Sequence, residues 1–396
     1  MGKGAQDSPV NKKILFIISD TGGGHRSAAN AIIAALSSSG QSIQCEMVDL
    51  LRASGLPGIQ NAPELYAFFS SGHIWLHNLL FRLSNSSRFM DLASSLLYRF
   101  ARSRIRKVIE TFNPDLVVVI HPLAVRPMCS YRDETHANWP VITMVTDLVS
   151  VHASWISPRA DLYLLPTSES LSIAERYGVP AENLRLVGFP IHPRFCRPQL
   201  DRAAVRRQLG LPVDRFIVLL TSGGAGGGSL ETLISELERQ CPQITILAVT
   251  GRNQPLLRKL TARTPLPQHT RVYGFVDNME QLMIAADVVV TKAGPGTIME
   301  AAALCRPLLL TGAVGLQEEG NINFVLNAGI GSHCPTHAAI CRMVSRLADE
   351  NPHRYPSQEF SFAGTPVIAE LLLSLSPTKE KQIDDGKGLH QISRTL

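Results

Sequence analysis

Residues 14–26 read ILFIISDTGGGHR, so an apolar strand enters a glycine turn and Gly22, Gly23 and Gly24 lead straight into His25. A glycine turn between strand and helix lets backbone N–H groups approach a phosphate. A phosphate-gripping loop would follow its last glycine with Lys and Ser or Thr. Here those positions hold His25 and Arg26, which disfavours nucleoside-triphosphate hydrolysis. The dinucleotide spacing also fails, because the glycines are consecutive, and Ala28 and Ala29 take over the close-packing role. What the turn presents is an imidazole. With an ordinary pKa near 6.5, such a ring is mostly neutral at about pH 7 and can accept a proton, more so at a helix N-terminus. Its plainer role would be that of a helix-start residue. Asp147 and His152, in TDLVSVH (146–152) at the end of another strand, are expected at the same edge, with Asp147 either a base itself or the group that orients His25. Asp20 fits turn stabilisation better.

The same device returns some 200 residues later. FIVLLTSGGAGGGS (216–229) is again strand, glycine turn and helix start, with Ser222, Gly223 and Gly224 at the turn. Further on, Gly294, Gly296 and Thr297 open a helix after a strand, an arrangement suited to an anion, although Gly-Pro-Gly is also a common turn. Glu300 lies one helical turn later, where it favours the helix dipole with or without a ligand.

These turns must be positioned by alternating elements. Strands are expected near 13–19, 44–50, 115–121, 141–147 and 161–166, then near 215–222, 243–250, 270–276, 287–291 and 307–311. Helices are expected near 25–37, 95–111 and 168–177, then near 229–239, 278–285, 296–304, 318–328 and 337–349. The alternation predicts an α/β protein with two Rossmann-like domains and parallel sheets facing a cleft. The polar, Arg-rich stretch 196–213 carries the linker, giving a flexible 1–12, domains 13–200 and 201–376, and a disordered tail 377–396.

Composition narrows the class. The chain has 396 residues and 45% apolar content, enough for two cores, and its seven scattered cysteines form neither a disulfide framework nor a zinc motif. A reducing cytoplasm fits. Neither a signal-peptide core nor an apolar run long enough to cross a bilayer is visible. The net charge of +5 is concentrated, since Arg82, Arg88, Arg99, Arg102, Arg104, Arg106 and Lys107 face only Asp91 within 82–107. A run of large apolar residues that includes Trp75 and Phe81 precedes it. Aromatic followed by basic suggests an anionic membrane surface rather than nucleic acid; the plainer alternative is a buried helix pair with a solvated basic face.

SDTGGGHR (19–26), GFVDNM (274–279), TKAGPGT (291–297), Glu300-Ala301 and GLQEEGN (315–321) together resemble the monogalactosyldiacylglycerol synthases and related diacylglycerol glucosyltransferases. These are family 28 glycosyltransferases, and the chain is more distantly similar to the peptidoglycan glucosaminyltransferase that makes lipid II. The resemblance spans roughly residues 13 to 350. It implies the GT-B architecture and inverting transfer of galactose or glucose from a UDP-sugar to the free hydroxyl of diacylglycerol, with His25 or Asp147 as base. It further implies that Ser222, Gly223, Gly224, Gly294, Gly296 and Thr297 meet the diphosphate, Phe275 and Val276 flank the uracil, and Glu300 accepts the ribose hydroxyls. Gln317 and Glu318 would read the sugar, with Asn321 one turn on. On the acceptor side stand Gly23, Gly24, Trp75, Phe81, Arg99, Arg102, Arg104 and Arg106. No Asp-x-Asp motif is present, so neither a metal nor a cofactor is expected; the UDP-hexose is a substrate.

Plant members carry a transit peptide, whereas here the first strand begins within about a dozen residues, so a bacterial-type enzyme, peripheral on the cytoplasmic side of a membrane, is expected. N-acetylglucosaminyl transfer to another lipid-linked acceptor is the alternative reading, and a UDP-sugar epimerase of the same architecture is a third. A non-catalytic binder would be expected to keep Glu300 and lose His25.

Overall fold

A computed structural model describes residues 12–20, 23–54, 74–196, 201–221, 230–263, 269–350 and 364–375. The expected flexible start, the tail beyond 376 and the turn Ser222-Gly223-Gly224 therefore lie outside the described residues.

The first half builds a six-stranded parallel sheet in the order β2-β1-β3-β4-β5-β6. Its strands are β1 Lys12–Ile18, β2 Ile43–Asp49, β3 Leu116–Val119, β4 Val141–Met144, β5 Leu162–Leu165 and β6 Leu184–Leu186. The second half builds another, ordered β12-β11-β10-β7-β8-β9, from β7 Ile217–Thr221, β8 Thr245–Val249, β9 Thr270–Tyr273, β10 Val288–Thr291, β11 Leu308–Leu310 and β12 Gly331–His333. Helices cover both faces of each sheet, which is why Ile14, Leu15, Phe16, Ile17 and Ile18 are all buried instead of alternating. Strand order reverses beside β1 and β3 in one sheet and beside β7 and β10 in the other, and ligand crevices form at such points.

The expected α/β class and two-sheet architecture are both present. The short edge strands β6 and β12, and the helices Ile74–Ser84, Pro122–Thr135, Arg202–Gln208, Gln254–Thr261 and Gly364–Ser374, were not anticipated.

The last of these changes the expected domain extents. Helix Gly364–Ser374 does not stay with the second half: Ile368, Ala369 and Leu372 enter the core formed by Ile14, Phe16, Ala28 and Ile32. Lys12 Nζ donates to the carbonyls of Leu372 (2.8 Å) and Leu373 (2.9 Å), capping the helix from the first strand. A Cβ at Gly364 would sit 2.5 Å from the Gly188 backbone, so only glycine allows this approach. Conversely, Leu148, Phe189, Ile191 and Phe195 pack into the second half's core. The two halves are thus joined by exchanged apolar segments, not by one polar linker.

Candidate active site

His25 enters from the first sheet's reversal point. Gly23 has φ +80°, a left-handed conformation that favours glycine, and it turns the chain from β1 into helix Gly24–Ser37. Gly24 opens that helix, and Ala28 and Ala29 are buried behind it, as their size requires. His25 Nδ1 lies 3.3 Å from Thr146 Oγ1. The edge of the His121 ring packs against the His25 ring at 4.9 Å between centroids, and Trp155 lies at 6.1 Å. Burial lowers the His25 imidazole to about 4, so the ring is neutral at physiological pH. His121 is also held well below 6.5, first by burial and then by the charge His25 would carry.

Asp147 sits at the C-terminal end of β4, as expected, but does not orient His25. Its Oδ2 accepts from Trp155 Nε1 (2.7 Å) and its Oδ1 from Gln317 Nε2 (3.0 Å). Burial raises its carboxyl to about 6 against the lowering effect of those two bonds. Thr146, one residue earlier, is the residue that meets His25 Nδ1. His152 also departs from expectation: its Nε2 faces the Phe81 carbonyl (3.1 Å) and its Nδ1 the Ser154 hydroxyl (2.8 Å), so it braces helix Ile74–Ser84. Asp20 pairs with Arg26 at 2.6 Å, which is the turn-stabilising role.

Across the cleft, Gly294 precedes helix Pro295–Ala303, with Pro295 at its first position. A Cβ on Gly296 would meet nothing within 4 Å, so packing does not require that glycine; the open helix start suits the close approach of an anion. Thr297 and Glu300 follow on the same helix. Glu300 makes no side-chain hydrogen bond among the described residues, and burial raises its carboxyl to about 7 despite the nearby Arg194. Phe275 is 62% exposed with the Arg252 guanidinium 5.3 Å above its ring, while Val276 packs on the core beneath.

Three residues of the expected sugar-reading group have protein partners already. Gln317 holds Asp147. Glu318 accepts from Lys292 Nζ (2.5 Å) and from the Val314 N–H (2.9 Å). Asn321 donates to the Ala293 carbonyl (2.9 Å), which ties down the Gly-Pro-Gly turn. Glu318 and Asn321 therefore tie the segments 292–294 and 314–315 together. Lys292 was not singled out from the sequence, although it lies inside TKAGPGT and supplies a cation beside the helix start.

Helix Gly315–Asn327 closes the cleft against the first half. The Leu316 N–H donates to Asn78 Oδ1 (2.9 Å), and a Cβ on Gly320 would come within 2.9 Å of Val149. Helix Gly24–Ser37 also touches helix Pro295–Ala303.

The acceptor-side surface is divided. Trp75 is 66% exposed, but the Phe81 ring packs on His152 at 4.6 Å. Arg99, Arg102, Arg104 and Arg106 are all exposed on helix Ser87–Phe112, with Arg102 paired to Glu134 and Arg106 to Glu110. Sequence reading missed a second apolar face on this helix: Phe89, Leu92, Leu96 and Phe100, spaced by three or four residues, are at least 50% exposed, opposite the buried Met90, Leu97, Ala101 and Ile105.

Residues 25–191 match the family model for monogalactosyldiacylglycerol (MGDG) synthase, and residues 217–313 match the glycosyltransferase family 28 C-terminal domain. The chain is 32% identical over 348 residues to a probable monogalactosyldiacylglycerol synthase 2, chloroplastic, of Oryza sativa subsp. indica, covering 85% of this chain and 73% of the rice protein. Among solved structures, a UDP-GlcNAc 2-epimerase from Neisseria meningitidis bound to UDP-GlcNAc superposes with TM-score 0.61 at 14% identity, covering 91% of this chain and 99% of that one. Acinetobacter baumannii MurG does so with TM-score 0.56 at 14% identity, covering 92% and 100%. At that identity the two structures bear on the fold, which is the GT-B arrangement, and say nothing of the reaction. The matched models and the rice relative place the chain in the monogalactosyldiacylglycerol synthase family of UDP-sugar-dependent glycosyltransferases.

Proposed function

We propose that this protein transfers a hexose, galactose by analogy with the named relatives, from a UDP-sugar to the free hydroxyl of diacylglycerol, with inversion, at a membrane surface. The observation that supports this reading is the Asp147–Gln317 hydrogen bond, which joins the segment that holds Thr146 against the neutral His25 to helix Gly315–Asn327 of the other half. In the reaction the acceptor oxygen bonds to the anomeric carbon while its proton passes to His25 Nε2. The bond from that carbon to the diphosphate oxygen breaks, and the electron pair leaves with UDP. The start of helix Pro295–Ala303 and Lys292 meet the charge that develops there. Glu300, whose side chain has no hydrogen-bonding partner among the described residues, accepts the ribose hydroxyls, and Phe275 offers its exposed face to the uracil.

The exposed stripe Phe89-Leu92-Leu96-Phe100, with Arg99 and Lys107 exposed along the same helix, supports docking on an anionic bilayer. No described helix is long and apolar enough to cross one. The seven cysteines are unpaired, which supports the cytoplasmic face of that membrane.

Incubating the protein with diacylglycerol vesicles and UDP-galactose, UDP-glucose or UDP-N-acetylglucosamine in turn tests the reading. Mass spectrometry should find a hexosyl-diacylglycerol, and the anomeric proton coupling should report a β linkage formed from the α-linked donor. Transfer of N-acetylglucosamine alone, or an epimerised donor with no lipid product, would replace this reading with one of its rivals.

A further inference from the structure

We propose that Thr146 is the positioning residue of His25, its hydroxyl holding Nδ1 so that Nε2 is left for the acceptor. This rests on the reading of His25 as the base. Thr146 is buried at the C-terminal end of β4, and His25 Nδ1 is the hydrogen-bonding partner of its hydroxyl. On the His25 side, Nε2 has no hydrogen-bonding partner among the described residues, while His121 and Trp155 pack against the ring and limit its rotation.

The chemistry of the holder matters. In a hydrolytic triad a carboxylate fixes the ring and also stabilises the imidazolium. A hydroxyl either accepts from Nδ1–H or donates to bare Nδ1, so it fixes the plane of the ring without adding negative charge. Asp147, the nearest carboxylate in sequence, is turned away and bound by Trp155 and Gln317. Asp20 is bound to Arg26, and among the described residues the remaining titratable neighbour is the other imidazole, His121. A ring held this way remains neutral well below physiological pH, so no proton has to be lost before it can accept one from the acceptor hydroxyl.

Thr146→Val, Thr146→Ser, Thr146→Asp, His25→Ala and the pair His25→Ala/Thr146→Val would be assayed with UDP-hexose and dispersed diacylglycerol, with thermal melts confirming the fold of each. Thr146→Val should lower kcat about 10- to 100-fold, as expected when a catalytic group is misplaced, with the donor KM within about twofold. Serine should restore most of that loss. The double variant should be no slower than His25→Ala. Thr146→Asp, by placing a carboxylate on Nδ1, should move the acid limb of the pH–rate profile upward by about one unit or more. If His25→Ala is inactive while Thr146→Val keeps full kcat, or if serine fails as badly as valine, Thr146 does not position the base. An acid limb that Thr146→Asp leaves unmoved counts equally against it. If His25→Ala itself is active, the base assignment fails first, and that outcome is distinct from the others.

Discussion

The two halves open on glycine turns alike in sequence, yet the helix starts beside Gly24 in the first half and Gly294 in the second differ in how their polar neighbours are held. On the first side His25 meets the Thr146 hydroxyl, is packed by His121 and is kept neutral by burial. On the second side the polar groups are held by the protein, Lys292 by Glu318 and Asn321 by the turn carbonyl, or have no hydrogen-bonding partner among the described residues, as with the Glu300 side chain. A proton acceptor can be built in advance because a neutral ring costs little to bury. A cation beside a helix start is costly to leave unpaired in a partly buried place, and Lys292 rests on the internal carboxylate of Glu318.

The strongest way to break this comparison is to remove the imidazole. His25→Ala should lower turnover by about two to four orders of magnitude and leave donor binding, measured by calorimetry, nearly unchanged. A matching loss of donor affinity would show that the two sides are not separable.

Glu300→Ala addresses the other side. Losing a charged hydrogen-bond acceptor should weaken UDP-sugar binding by about 1.5–3 kcal/mol. Because the Glu300 carboxyl is raised to about 7 and only its ionised form accepts two hydroxyls, donor affinity should fall as pH drops from 8 to 6. Glu300→Gln should flatten that dependence; a retained pH slope in the Gln variant would assign it to another group.

Lys292 sharpens the contrast further. If it moves from Glu318 to the diphosphate, Lys292→Gln should reduce the preference for UDP over uridine by about 10-fold, the value of a single charge-assisted bond, while uridine binding is unchanged. Equal weakening of both ligands would make Lys292 a loop brace.

Surface charge should give the smallest effects. Each arginine at an anionic bilayer is worth about 1 kcal/mol, screened by salt. Arg102 and Arg106 already answer to Glu134 and Glu110, so replacing Arg99 and Lys107 by Gln should depress vesicle co-sedimentation more than replacing the other pair. The Phe89-Leu92-Leu96-Phe100 stripe should leave a salt-resistant remainder, and replacing Leu92 and Leu96 by Ser should remove it. Activity on a dispersed short-chain acceptor should survive in all three variants; its loss would assign these residues to the fold.

Much of this was legible beforehand for physical reasons. Short apolar runs such as Ile14 to Ile18 and Ile217 to Leu220, each followed by a glycine turn, read as strands buried on both faces, so both sheets could be read. Leu184-Arg-Leu and Gly331-Ser-His are three-residue edge strands with no such run. Helix Pro122–Thr135 carries an internal proline, Pro127, which conceals its periodicity. His25 was readable because a local turn delivers it. The partners of Asp147 were not, because Gln317 lies 170 residues away and only the closure of the two halves brings it there.

The return of helix Gly364–Ser374 to the first half also has a consequence for how the chain is made. The second half is topologically an insertion, since residues before Cys196 and after Gly364 complete one core. At about 5–20 residues per second, on the order of ten to thirty seconds of synthesis separate the first sheet from the helix that seals it. Throughout that interval Ala28 and Ile32 lack their cover, while the inserted half already has its strands and can fold. Emergence from the ribosome therefore favours completing the donor side before the acceptor side, the reverse of their order in the sequence. It makes the newly synthesised first half a client for whatever shields apolar surface in the cell.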